Sequence, residues 1–191
     1  MLKYTTFVFF IVFLLLFGGC DRHDKKREET TTHKTTSNPN LIALTPIDAN
    51  SSIQILKTQN GFVLKNDPKK ILIFDIFATW CPPCRAESAV LGDIQKRFAD
   101  NVLVIGLSIE DEIENQKLAA YKQKYHADYT LASSSPALQR LIDAVAENLK
   151  IGRRFPIPLV AIYKDGKLVN YYSGATEEEF IISDIKQAIG K

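Results

Sequence analysis

The stretch Ile71-Leu72-Ile73-Phe74-Asp75-Ile76-Phe77-Ala78-Thr79-Trp80-Cys81-Pro82-Pro83-Cys84-Arg85-Ala86-Glu87 decides the architecture of this 191-residue chain. Residues 71–78 are apolar at nearly every position, the pattern of a strand buried on both faces of a sheet. Residues 82 to about 99 then read as a helix, with Val90, Leu91, Ile94 and Phe98 along one stripe. Between strand and helix start stand two cysteines spaced C-x-x-C. A thiol at that junction meets backbone N–H groups and the positive end of the helix dipole, and both favour its thiolate. The second thiol lies one turn along, close enough to form an intramolecular disulfide and so release a mixed-disulfide intermediate. Proline at the first turn costs little, because its missing N–H has no helical partner there. Cys81 is therefore expected to be an exposed nucleophile and Cys84 a more buried resolving thiol. Trp80, Pro82 and Pro83 frame them as the surface that meets substrate.

Two other uses of the pair are weaker. A zinc site needs about four ligands, and beyond these cysteines only His126 remains in the domain. A purely structural disulfide closing so short a loop constrains the unfolded chain little. Neither a metal nor a cofactor is expected.

The sequence on either side reads as one α/β domain over residues 46–191. Residues 51–57 and 62–65 flank Gln59-Asn60-Gly61, a hairpin signal. Residues 102–109 form a second buried strand, residues 112–125 a mostly polar helix and residues 129–132 a short strand. Ser135-Pro136 opens a helix with a capping hydroxyl and proline at the first helical position. Leu138, Leu141, Ile142, Val145 and Leu149 continue it at helical spacing. Residues 159–163 and 168–172 pair through Asp165-Gly166, and a final amphipathic helix starts near Thr176, its Glu177, Glu178 and Glu179 complementing the dipole. Strands alternating with helices, closed by a hairpin and a helix, imply a mixed central sheet covered by helices on both faces.

The N-terminus reads as a targeting segment. Lys3 supplies a positive charge ahead of an apolar run over residues 7–17, which has signal-peptide length and is short of the roughly 20 residues a bilayer span needs. Residues 1–19 are read as a signal peptide. The run ends in Leu16-Phe17-Gly18-Gly19-Cys20, which resembles the lipobox of bacterial lipoproteins, implying lipid attachment at Cys20. The alternative is an uncleaved anchor; either puts the domain on the extracytoplasmic side, where disulfide chemistry is possible. From Cys20 to residue 45 the chain is polar and reads as a flexible tether whose His23 and His33 are solvated. A formal net charge of +2 is too small to argue for nucleic acid or a membrane surface as a partner, and no nucleic acid is expected. Three cysteines, placed as they are, do not make a disulfide-stapled scaffold.

The segment from Phe77 to Glu87 resembles the active site of the periplasmic thioredoxin-like proteins called TlpA, ResA and CcmG, and the order of elements is similar from about residue 50 onward. The resemblance implies a thioredoxin fold with one extra helix–strand insertion, which the reading supplies between Glu112 and Ala132. It also implies a membrane-tethered reductase of protein disulfides, apocytochrome c among them, recharged by a membrane dithiol donor.

Two carboxylates gain a role from this. Asp75 interrupts an apolar strand, and a buried lone aspartate is costly unless neutral, paired or functional. Thioredoxins carry an aspartate in the matching place, where it exchanges protons with the resolving cysteine. Glu87 extends the apolar stripe of its helix backwards, so burial should raise its pKa towards neutrality; ResA-type relatives use a glutamate there. The fold further implies a cis-proline facing the cysteines. Counting back from Gly166 selects Pro158, with Ile157 presenting its backbone to substrate, and Pro156 is the alternative. The chain departs from the family at Leu159, where threonine is usual, at Ala89, where proline is frequent, and at Arg153 and Arg154, which stand near the groove. The same chemistry run in reverse, as an oxidant, and a non-catalytic tethered binding module are the competing readings.

Overall fold

The computed structural model describes residues 38–152 and 154–190; the segment 1–19 read as a signal peptide, Cys20, His23, His33 and Arg153 lie outside them. The elements run β1 (Leu41–Leu44), β2 (Ile53–Lys57), β3 (Phe62–Leu64), β4 (Ile71–Phe77), α1 (Pro82–Arg97), β5 (Val102–Ser108), α2 (Asn115–Tyr125), β6 (Thr130–Leu131), α3 (Pro136–Leu149), β7 (Leu159–Lys164), β8 (Lys167–Ser173) and α4 (Glu178–Ile189). Five strands make a mixed sheet in the order β6-β5-β4-β7-β8. β4 is parallel to β5 and antiparallel to β7.

This is the thioredoxin fold, with α2 and β6 as the inserted helix–strand unit. Burial explains β4: all seven residues are inaccessible, since the strand has neighbours on both edges and packed layers on both faces. Ile71, Ile73 and Phe77 join Leu91 and Ile94 of α1, Leu118 of α2 and Ile181 and Ile185 of α4 in one core. Leu72, Phe74 and Ile76 meet Leu138, Leu141 and Val145 of α3 on the other face. There a three-stranded antiparallel sheet, β1-β2-β3, adds Ile42, Leu44, Ile55 and Phe62.

The tether expected up to residue 45 ends earlier, since β1 is a strand. Its four residues, Leu41-Ile42-Ala43-Leu44, are apolar but form a short run at the end of a polar stretch, and they are held by pairing with β2, Leu41 opposite Leu56 and Leu44 opposite Ile53. The chain beyond β1 covers the outer edge of β6: Ile47 donates its N–H to the Leu131 carbonyl at 3.0 Å, and Ser133 to that of Thr45 at 2.8 Å. An edge strand of two residues is thus capped by the chain itself.

Gly92 sets the distance between α1 and the turn that follows α2. A Cβ there would stand inside van der Waals contact of the His126 carbonyl oxygen and 3.0 Å from the Asp128 nitrogen. Both are backbone atoms and cannot rotate away. Gly92→Ala is therefore expected to cost about 1–3 kcal/mol despite alanine's better helix propensity, measured by urea unfolding followed by circular dichroism.

Candidate active site

Cys81 is the N-cap of α1, with extended backbone, and its sulfur accepts the N–H of Cys84 at 3.3 Å. Pro82 and Pro83 occupy the first two helical positions and have no N–H to offer. The Arg85 N–H bonds the Cys81 carbonyl at 3.3 Å. Of the orphan donors at a helix start, this leaves the Cys84 N–H on the sulfur. The two cysteines are joined as a disulfide with Cα atoms 5.3 Å apart.

The expectation that Cys81 is exposed needs correction. Cys81 is 3% exposed and Cys84 1%. Cys81 is covered because the loop before β7 folds back onto it: the Ile157–Pro158 peptide is cis and the Ile157 carbonyl oxygen lies 3.9 Å from the Cys81 sulfur. What solvent meets at this end of the sheet is Trp80, 60% exposed, together with Pro82 and Pro83. Pro158 is the cis residue, so the register chosen from Gly166 holds and Pro156 is trans. Ile157 is half-buried and Pro158 buried. Arg154 is exposed and walls a shallow groove with Ile109, Gln139, Phe155, Pro156 and Ile157.

The residue ahead of the motif is clamped on both backbone groups. Thr79 donates its N–H to Glu110 Oε2 at 2.6 Å and its hydroxyl to Oε1 at 3.0 Å. Its carbonyl accepts from Arg85 Nε at 3.1 Å and from the second guanidinium nitrogen at 3.0 Å. Lys117 of α2 completes the cluster, 2.7 Å from Glu110 Oε1. Burial alone would raise the Glu110 pKa, but the bonds from Lys117 and Thr79 outweigh it and hold the carboxyl below its ordinary value. Nothing in the sequence marked Glu110, because its partner Thr79 is 31 residues away.

Asp75 and Glu87 are both buried, 1% and 3% exposed. Burial pushes the Asp75 carboxyl up to about 7; a hydrogen bond from Tyr129 opposes this and the charge of Glu87 adds to it. Burial likewise raises Glu87, opposed by the Thr176 N–H, which bonds its Oε2 at 3.3 Å. Each carboxyl keeps one buried oxygen without a partner, Oδ1 of Asp75 and Oε1 of Glu87. Glu87 lies beyond the first turn of α1, which carries no acid, so it does not serve the helix dipole. Behind Cys84 lie three hydroxyls that sequence reasoning did not single out. Ser88 donates to the Cys84 carbonyl at 2.9 Å and shares a 2.7 Å bond with Tyr121, while Tyr129 reaches Asp75 Oδ2 at 2.6 Å. Among the described residues, no group of three or more His, Cys, Asp or Glu could hold a metal ion.

A family model described as Redoxin matches residues 50–189. The chain belongs to the Redoxin family. Among curated proteins this Redoxin chain is 25% identical over 116 residues to Thioredoxin H3 of Arabidopsis thaliana, a match covering 61% of the chain and 70% of that protein. It is 22% identical over 135 residues to the chloroplastic Thioredoxin Y2 of the same plant, covering 70% of the chain and 60% of that relative. Among solved structures, a thiol:disulfide interchange protein of Chlorobium tepidum TLS, of the thioredoxin family, superposes with a TM-score of 0.61 at 19% identity, covering 79% of this chain and 94% of the other. A putative protein disulfide isomerase of Bacteroides thetaiotaomicron gives 0.59 at 19% identity, covering 79% and 87%. A secreted Mycobacterium tuberculosis disulfide oxidoreductase, homologous to Escherichia coli DsbE, gives 0.51 at 12%, covering 76% and 94%. At these identities the structures establish the fold. The family together with the Cys81–Cys84 disulfide makes this Redoxin chain a thiol–disulfide oxidoreductase of the thioredoxin type.

The raised carboxyl has a consequence for stability. Because Asp75 binds its proton more tightly folded (about 7) than unfolded (3.8), its contribution is fully present below about pH 4 and is lost as pH rises through 7. Asp75→Asn, which stays neutral, is expected to match wild type near pH 4. At pH 8 it should be more stable by as much as about 4 kcal/mol, with denaturant unfolding at both pH values as the check.

Proposed function

We infer that the protein is an extracytoplasmic reductase of protein disulfides, lipid-anchored at Cys20 and recharged by a membrane dithiol donor, with apocytochrome c among its substrates. The observation that carries the direction is the helix start. The more a fold stabilises its nucleophilic thiolate, the more oxidising the pair becomes. Here the two prolines remove two donors and leave the Cys84 N–H alone on the Cys81 sulfur, which favours the reducing end of the range. The location is supported by the apolar N-terminal run and by the secreted oxidoreductase that shares the fold.

In the reaction, the Cys81 thiolate attacks one sulfur of the substrate disulfide, and the other substrate sulfur leaves as a thiolate. Cys84 gives its proton to a buried carboxylate, Asp75 or Glu87, and its thiolate attacks Cys81. The Cys81–Cys84 disulfide forms, the second substrate thiol is expelled, and two electrons have passed to substrate. Two carboxyls with proton affinity raised by burial suit that transfer near neutral pH. Trp80, Pro82, Pro83 and the Ile157–Pro158 edge are the surface against which an extended substrate segment lies.

The equilibrium potential of the pair tests the direction. Titration of the full chain against defined glutathione or dithiothreitol ratios, read by thiol trapping, is expected to give about −250 mV or below. A value near about −120 mV would make the protein an oxidant. Pro83→Ala restores an N–H beside Cys81 and is expected to move the potential upward by about 30 mV, a tenfold change in the exchange constant. Cys81→Ser should abolish insulin reduction by dithiothreitol above the uncatalysed rate; an unchanged rate would leave a binding module instead of an enzyme.

A further inference from the structure

The hydroxyl of Tyr129 lies outside the reaction just described, yet much of the fold serves to bring it to Asp75. Tyr129 is 3% exposed and sits between α2 and β6. Two tight bonds shape its turn, Asp128 N–H to the His126 carbonyl at 2.8 Å and Tyr129 N–H to that of Ala127 at 2.7 Å. Gly92 of α1 lets that turn approach. Gly106, the β5 neighbour of Asp75, leaves room for the ring: a Cβ there would stand 3.0 Å from Tyr129 Cε2 and 2.5 Å from Leu131 Cδ2. The tyrosine crosses the empty place on β5 to reach the carboxylate on β4.

Hydrogen accounting then gives the bond a direction. An ionised carboxylate only accepts, and a phenol has one proton. At 2.6 Å to Asp75 Oδ2 against 3.3 Å to Ser88 Oγ, Tyr129 donates that proton to the ionised Asp75. Tyr121, 2.7 Å from Ser88, and Ser88 itself back the bond from behind and reach the Cys84 carbonyl at 3.2 and 2.9 Å. Oδ1 of Asp75, buried and without a protein partner, is the oxygen left over.

We propose that Tyr129 is a positioning residue for thiol exchange, its hydroxyl holding Asp75 Oδ2 so that Oδ1 is the oxygen that takes the Cys84 proton. The proposal rests on the reading of Asp75 as a base. A donor fixed on the carboxylate favours its ionised form, so Tyr129 keeps Asp75 available as a base at a lower pH than burial alone allows. The other titratable groups whose charge couples to Asp75 are Glu87 from α1 and Tyr121 from α2; Cys81 and Cys84 line the core on the same side of the sheet and, as a disulfide, do not titrate. The flanking strands contribute Gly106 and Val160, which do not titrate.

The test is Tyr129→Phe in the full chain, with thermal unfolding in parallel. In the oxidised protein, where neither cysteine titrates, the Asp75 carboxyl is followed by its 13Cγ chemical shift, and its midpoint is expected to rise by about one pH unit. The acid limb of the exchange rate, measured from pH 5 to 9, should rise with it. Exchange then falls several-fold at pH 6.5 and is unchanged at pH 9, and the effect disappears in an Asp75→Asn background. Incorporation of 3-fluorotyrosine at position 129, a more acidic donor of nearly the same shape, should move the midpoint down, and it carries the test if Tyr129→Phe does not fold. An Asp75 midpoint unmoved in the folded variants overturns the proposal. A midpoint that moves while Asp75→Asn leaves the exchange profile intact overturns instead the reading of Asp75 as the base.

Discussion

Burial of β4 is the constraint from which the site follows. Ile71–Phe77 is flanked by β5 and β7 and covered on both faces, so its direction and register are fixed by apolar contact along its whole length. The strand delivers Cys81 to the start of α1 and holds Asp75 on the face that carries Cys81, Cys84 and Tyr121. Its partner β7 begins directly after the cis-proline that brings the Ile157 carbonyl to the sulfur. A one-residue slip of β4 would turn Asp75 to the opposite core and move the cysteines away from the loop together.

The same burial supplies the chemistry. A carboxyl in water is ionised well below neutrality, whereas Asp75, 1% exposed in the core, holds its proton to near pH 7 even with the bond from Tyr129. Ionisation of this carboxyl in the unfolded chain therefore weighs against folding from about pH 4 upward, and the cost is complete once pH has passed 7. Around it the polar groups are paired closely: Thr79 by Glu110 and Arg85, Ser88 by Tyr121 and the Cys84 carbonyl. The unpartnered oxygens of Asp75 and Glu87 are conspicuous against that background.

Much of this arrangement was readable before any coordinates. The unbroken apolar run with one aspartate, the C-x-x-C at a strand-to-helix junction and the proline eight residues before Gly166 are local patterns with local physical causes. The first two led to an α/β domain with a redox pair; the thioredoxin fold and the cis peptide at Pro158 came from the resemblance that the segment Phe77 to Glu87 carries. Less was readable where pattern is weak or distance large. β1 is four residues that become a strand only by pairing with β2, and the concealment of Cys81 comes from a loop 76 residues away.

What the sequence by itself determined is the set of reactive groups and the elements that carry them. Residue type and short-range spacing suffice to say that Cys81 and Cys84 form a pair at a helix start and that Asp75 lies inside. Only the tertiary structure decided which groups meet those residues and in what state. Glu110 reaching Thr79, Tyr129 crossing Gly106 to Asp75 and Thr176 bonding Glu87 join positions 31, 54 and 89 residues apart. Hydrogen bonds and desolvation act through space, so neither the partners of a buried carboxyl nor its proton affinity can be read from its neighbours along the chain.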